Sequence, residues 1–293
     1  MEAHYYRLRH EGLHSIGQTL VLTTLPSGLI SEVRRVCPRK QKFGVRRLKE
    51  RAESERTVYP CAVTELTEYF GANSPLKKHL PGFQPRAGQA WMAEAVAEAI
   101  AASDRLVVEA GTGTGKTFAY LIPELLSGRK TIISTGTKAL QDQLYHRDLP
   151  LVGKSVGRPV TTALLKGRAN YLCVQRLEQV TEPAASIVDD LYEVREWRHR
   201  TTSGDKAELI DVPEATPVSP LVTSTADKGL GQPGPEYSTC HVVKARTAAQ
   251  EADLVVVNHH LLLADLPMKD EGFVEFLPGA EAIIIDEAHQ LPD

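Results

Sequence analysis

Apolar residues recur every four positions at Met92, Val96 and Ile100, while Glu94 and Glu98 mark another face, so the spacing predicts a helix over residues 86–102. The run Leu106-Val107-Val108 predicts a strand, followed by a Gly-rich stretch and a second helical pattern over 118–126. Apolar runs at 131–134, 161–165, 254–257 and 282–285 predict further strands, and residues 138–146 a helix. Runs this short, bounded by loops and separated by helices, are what a parallel sheet covered on both faces looks like in sequence. The fold class expected is therefore α/β. Between residues 166 and 246 the alternation gives way to mixed charge and then to a Pro/Gly-rich stretch, which predicts an insertion. The expected organisation is a sheet domain built from 63–165 and 247–293, interrupted by 166–246.

Residues 1–62 are hard to read as a domain: the stretch 34–56 is dense in charge and sustains neither helical nor strand periodicity. They hold 12 Lys and Arg against 6 Glu, although the whole chain carries a net charge of −3, so the front is basic and the remainder acidic. This segment is expected to be disordered or not native, with Val63 as an alternative translation start. At 293 residues and 42% hydrophobic, the chain has ample material for a core. No apolar run approaches the roughly 20 residues that cross a bilayer, and the start lacks the apolar stretch of a signal peptide, so a cytoplasmic protein without membrane contact is expected. Four cysteines, Cys37, Cys61, Cys173 and Cys240, do not make a secreted disulfide framework in a chain of this length and leave buried thiols or metal ligands.

The strongest chemical signal is Ala110-Gly111-Thr112-Gly113-Thr114-Gly115-Lys116-Thr117, set between a predicted strand and a predicted helix. Glycines let backbone N–H groups approach phosphates, and the helix aims its positive end at them. Gly111, Thr112, Gly113, Thr114 and Gly115 are thus expected to cradle ATP, Lys116 to bridge its terminal phosphates, and Thr117 to give its hydroxyl to Mg2+. Asp286-Glu287-Ala288-His289 follows the apolar run 283–285, which places two carboxylates where a parallel strand ends. Asp286 is expected to hold Mg2+ and Glu287 to orient and deprotonate the attacking water. A helix N-cap is the bland alternative for such a pair.

Taken together these motifs resemble superfamily 2 helicases with a DEAH box. Phe83-Gln84-Pro85-Arg86 with Gln89 resembles the adenine-recognising segment of that superfamily, which implies that Gln89 reads the base edge. Ser134-Thr135-Gly136-Thr137 with Leu140-Gln141-Asp142-Gln143-Leu144 resembles the motif that contacts the DNA backbone. Lys166-Gly167-Arg168-Ala169-Asn170-Tyr171-Leu172-Cys173 and Val257-Asn258-His259-His260-Leu261-Leu262 are similar to the DinG/YoaA branch of XPD-like helicases. The resemblance covers residues 65–293. It implies a RecA-like P-loop domain, single-stranded or forked DNA as partner, and 5'-to-3' movement, with Lys138, Lys166 and Arg168 as candidate phosphate contacts. No role is assigned to His259 or His260.

The same resemblance implies a 4Fe-4S cluster in the insertion, held by four thiolates. Cys173 and Cys240 match the first and last ligands, but the two intervening positions fall at Gly229 and Gly234, which offer no side chain. A degenerate site is expected, with loose iron binding as the alternative. His241, Cys37 and Cys61 have no pattern that makes them substitutes. The DEAH box falls at residues 286–289, close to the last residue given, so the chain is expected to be an N-terminal portion without the second RecA-like domain, weak or inactive alone. Two other functions fit the motifs: a nucleotide- or DNA-binding fragment without turnover, and a P-loop ATPase acting on protein.

Overall fold

The apolar runs at 106–108, 131–134, 254–257 and 282–285 become buried strand segments, because Val, Ile and Leu side chains on alternate sides of the pleat both need shelter from water. The computed structural model describes residues 4–7, 18–23, 66–111, 113–213, 216–223, 239–270 and 277–291; for 4–7, 18–23 and 266–270 only the backbone is described. Two compact units emerge, one comprising residues 1–162, 253–275 and 279–293, the other 163–252 and 276–278.

In the first unit the strands are β1 (His4–Arg7), β2 (Gln18–Thr23), β3 (Leu106–Ala110), β4 (Thr131–Thr135), β6 (Leu254–Asn258) and β7 (Ala282–Ile285). Their order is β1-β3-β2-β7-β4-β6. All of β4 and β7 is buried, and β6 is buried except for Asn258. The core strands β4, β6 and β7 run parallel, in a register that sets Ser134 opposite both Val257 and Ile285. Thr135, Asn258 and Asp286, one residue on, therefore leave the sheet at one edge, the carboxyl ends where ligands bind in parallel sheets.

Helices α1 (Ala87–Ala102) and α2 (Lys116–Ser127) pack on one another. Helix α1 buries Met92, Val96 and Ile100, the stripe its periodicity predicts. It stops at Ser103, whose left-handed conformation lets its N–H reach the Ile100 carbonyl and the Asp104 N–H reach that of Ala99. Helix α3 (Lys138–Gln143) begins with Thr137 as N-cap, passes through a π turn over Leu144–Asp148, and continues as α4 (Leu149–Val156). The sequence predicts one helix ending near residue 146. The π turn instead carries the chain on, burying Leu144, Leu149 and Val152.

Within residues 1–62, the described backbone of β1 pairs parallel with β3, and that of β2 lies antiparallel between β3 and β7. The short β-prone run at 18–23 was hidden beside the charged stretch that follows it. The rest of that segment, and the Val63 start, lie outside the described residues.

The second unit holds α5 (Val174–Gln179), α6 (Val188–Arg198), the short α7 (Ser219–Val222) and α8 (His241–Glu251), with β5 (Thr162–Leu164) leading in. It has its own core of Leu172, Leu177, Ile187, Leu191, Val194, Trp197, Val218 and Val222. Four of these, Ile187, Leu191, Val194 and Trp197, are spaced as one helical stripe. A buried ion pair ties its entry: Lys166 Nζ lies 2.7 Å from Asp205 Oδ2, while the Lys166 N–H donates to Tyr171 Oη at 3.0 Å.

Candidate functional site

The chain leaves β3 at Ala110 and turns through Gly113 and Gly115, both in the left-handed region at φ 76° and 82°, before α2 begins at Lys116. That backbone is open to glycine at little cost. Gly115 also leaves no room: a Cβ there would lie 2.2 Å from Gln89 Nε2. Gln89, 4% exposed, donates from Nε2 to the Gly115 carbonyl at 2.9 Å, Arg86 donates to the Gly113 carbonyl, and Thr114 Oγ1 donates to that of Gly111 at 3.0 Å. The adenine-segment residues thus brace the loop. Thr112 lies outside the described residues.

Across the loop, β7 delivers Asp286, whose N–H donates to the Ser134 carbonyl at 2.8 Å and so extends the ladder by one bond. Asp286 Oδ2 accepts from Tyr120 Oη at 3.0 Å, and its Oδ1 from the Glu287 N–H at 3.0 Å. Glu287 sits at φ 56°, a left-handed conformation costly for a residue with a Cβ, and its Oε1 lies 3.9 Å from Lys116 Nζ. Its Oε2 is buried without a hydrogen bond, 3.4 Å from His289 Nδ1. The structure therefore gathers Lys116, Asp286 and Glu287 at one sheet edge, with Thr117 adjacent to Lys116 on the first turn of α2.

Burial dominates the electrostatics. It pushes Asp286 above the usual carboxylate range, against the Tyr120 hydrogen bond and the Lys116 charge. It raises Glu287 to about 7, with the charge of Asp286 adding to the effect and Lys116 opposing it. Burial likewise lowers Lys116, against the pull of both carboxylates. His259 falls to about 4 through burial and His289 is lowered for the same reason, so both rings are neutral near pH 7. Two crowded carboxylates, one with an orphaned oxygen, beside a threonine hydroxyl fit a hard, hydrated cation such as Mg2+, which takes one or two carboxylates and keeps several waters.

Cys173 and Cys240 are half-buried free thiols that begin α5 and α8. Gly229 and Gly234 lie outside the described residues. Among the described residues no group of three or more His, Cys, Asp and Glu is arranged to hold a metal. Two thiols and two glycines do not fit a four-thiolate cluster. His241 packs its ring against Gly204, where a Cβ would lie 2.2 Å from its Cγ.

The candidate DNA contacts fare differently from one another. Lys138 is exposed and Arg168 half-buried, but Lys166 is 3% exposed and committed to Asp205, so it is not available to a phosphate backbone. Gln141 is fully buried, donating from Nε2 to the Val256 carbonyl at 3.2 Å. Sequence reasoning missed Tyr120, although it stands one helical turn beyond Lys116 on the same face, and it missed the environment of His259, whose partners are remote in sequence. Among the described residues, no helix is long and apolar enough to cross a membrane.

Residues 92–188 match the DEAD/DEAH box helicase family. The chain is 52% identical over 233 residues to the ATP-dependent DNA helicase YoaA of Haemophilus influenzae, which covers 78% of this chain and 36% of that protein. The YoaA of Escherichia coli K12 is also 52% identical, over 232 residues, with the same shares. A Bacillus subtilis protein named 3'-5' exonuclease DinG is 34% identical over 226 residues, 75% of this chain and 24% of that protein. The chain thus spans about a third of the length of its YoaA relatives. A sheet whose core strands run parallel and end at a phosphate loop and a DEAH box defines the class: this is a DEAD/DEAH box helicase sequence with a RecA-like α/β domain. Within that class the chain belongs to the DinG/YoaA type.

Proposed function

We propose that the chain forms the ATP-binding part of an ATP-dependent DNA helicase motor acting in the cytoplasm. The observation that carries this is the convergence of Lys116, Asp286 and Glu287 behind a Gly-rich loop at the carboxyl edge of the sheet. The loop N–H groups and Lys116 bind the phosphates of ATP, and Thr117 with Asp286 holds Mg2+, which neutralises phosphate charge when bound. Glu287, raised to about 7 and so a stronger base in its ionised form, takes the proton of the attacking water, while Gln89 couples the adenine side of the site to the loop through Gly115. The partner is single-stranded or forked DNA, engaged through phosphates near Lys138 and Arg168, with 5'-to-3' movement as the resemblance implies.

DNA-stimulated ATP hydrolysis by the whole protein tests this. Turnover abolished by Lys116→Ala and by Glu287→Gln supports it. Nucleotide binding without turnover points instead to a binding fragment, and turnover indifferent to DNA but stimulated by a protein points to another kind of ATPase. The insertion, on this reading, holds no four-thiolate cluster and stands on its apolar core. Stoichiometric iron and sulfide in the purified protein would overturn that part.

A further inference from the structure

His259 stands at the start of α9 (His259–Asp270), directly after β6, and is fully buried. Its Nε2 lies 3.4 Å from the carbonyl oxygen of Glu287, and its Nδ1 lies 2.7 Å from Ser134 Oγ. A carbonyl only accepts, so Nε2 carries the hydrogen; Nδ1 then holds a lone pair and the Ser134 hydroxyl donates to it. Ser134, itself fully buried, also accepts the Asp286 N–H through its carbonyl. One serine therefore fixes both sides of the turn, the Asp286 peptide directly and the Glu287 peptide through the imidazole.

That second restraint falls on the residue that most needs it. Glu287 at φ 56° occupies a conformation that persists only where surrounding structure over-determines it. Rotating its peptide would swing the carboxylate away from Lys116, 3.9 Å from it here. We propose that His259, oriented by Ser134, is a positioning residue for Glu287: it holds the strained Glu287 peptide so that the carboxylate faces the phosphate loop. The imidazole is fully buried and acts only through Glu287. This inference rests on Glu287 as the group that activates water.

The test is steady-state ATP hydrolysis by the whole protein carrying His259→Ala, His259→Gln and Ser134→Ala. A misplacement of about 1 Å costs on the order of 100-fold, so His259→Ala should lower kcat by roughly 10- to 100-fold with KM for ATP changed less than about twofold. His259→Gln, which can offer an amide N–H to Glu287 and a carbonyl to Ser134, should recover much of the loss. An unchanged kcat, a loss confined to KM, or no recovery of kcat in His259→Gln overturns the proposal. If His259→Ala does not fold, His259→Gln and Ser134→Ala decide by the same criteria. If the unsubstituted protein hydrolyses no ATP, the reading of Glu287 fails, and nitrogen NMR of the ring decides the geometry alone. An Nε2–H tautomer whose Nδ1 signal moves in Ser134→Ala upholds it, and an Nδ1–H tautomer overturns it.

Discussion

Tyr120 donates its hydroxyl to Asp286 Oδ2 across 3.0 Å, joining the second turn of α2 to the end of β7 although 166 residues separate them. The phenol is fully buried and its own ionisation is pushed well up, by burial first and then by Asp286, so it remains a donor at any working pH. It supplies a neutral partner to a buried carboxylate whose remaining charge is left for a cation.

Replacing Tyr120 with Phe keeps the packing and removes that donor, together with the hydroxyl's side-chain hydrogen bond with Thr117. Asp286 then has less to hold its charged form in a buried place, so it should bind Mg2+ more weakly and destabilise the fold by about 1–3 kcal/mol. Titrating Mg2+ into the ATPase assay should show a several-fold higher requirement with little change at saturation. An unchanged Mg2+ dependence would mean that Asp286 is not set by this bond.

Glu124 on α2 is 2% exposed, and burial raises it to about 8, with Asp253 adding to the rise and a Thr131 hydrogen bond opposing it. Its folded value lies above its usual 4.5, so the folded state keeps a proton that the unfolded chain releases. The favourable contribution is complete below pH 4.5 and is lost as pH rises from there to about 8. Glu124→Gln removes the titration and should melt higher than the parent at pH 8, with the gap closing toward pH 5. A gap that stays constant with pH would show that Glu124 does not titrate in this window.

The strands and the phosphate loop were readable because their signals are local. Apolar runs at β3, β4, β6 and β7 need no knowledge of neighbours, and a strand, glycines and Lys-Thr in order declare their own geometry. The second unit was less legible: its core stripe of Ile187, Leu191, Val194 and Trp197 is interleaved with charged residues. The motif from Lys166 to Cys173 illustrates another limit. Sequence showed a lysine beside an arginine and suggested DNA, while the fold turns the lysine inward onto Asp205, 39 positions away. His259 escaped for the same reason, since Ser134 and Glu287 reach it only through strand register.

Gly115→Ala should damage the loop in two separable ways. Alanine at φ 82° bears a left-handed cost of roughly 1–2 kcal/mol, and its Cβ would fall 2.2 Å from Gln89 Nε2, displacing the amide that braces the loop. Nucleotide affinity, read with a fluorescent ATP analogue, should drop sharply. Adding Gln89→Ala removes the clash but not the backbone cost, so thermal stability should recover in part. Full recovery would show that the backbone cost is negligible, and none would show that Gln89 yields freely.

Lys166→Met should act on stability rather than on DNA. Removing the ammonium strands Asp205, which lies 7% exposed and whose Oδ1 also accepts the Ala207 N–H at 3.0 Å. Breaking one side of a buried pair costs roughly 3–5 kcal/mol, whereas replacing both partners with apolar groups is often near neutral. The single variant should therefore lower the unfolding midpoint strongly, and Lys166→Met with Asp205→Leu should regain much of it. A phosphate contact behaves otherwise: its loss flattens the dependence of DNA affinity on salt by about one unit of slope. Lys166→Met at a temperature where it remains folded should leave that slope unchanged, and a flattened slope would return Lys166 to the DNA-binding surface.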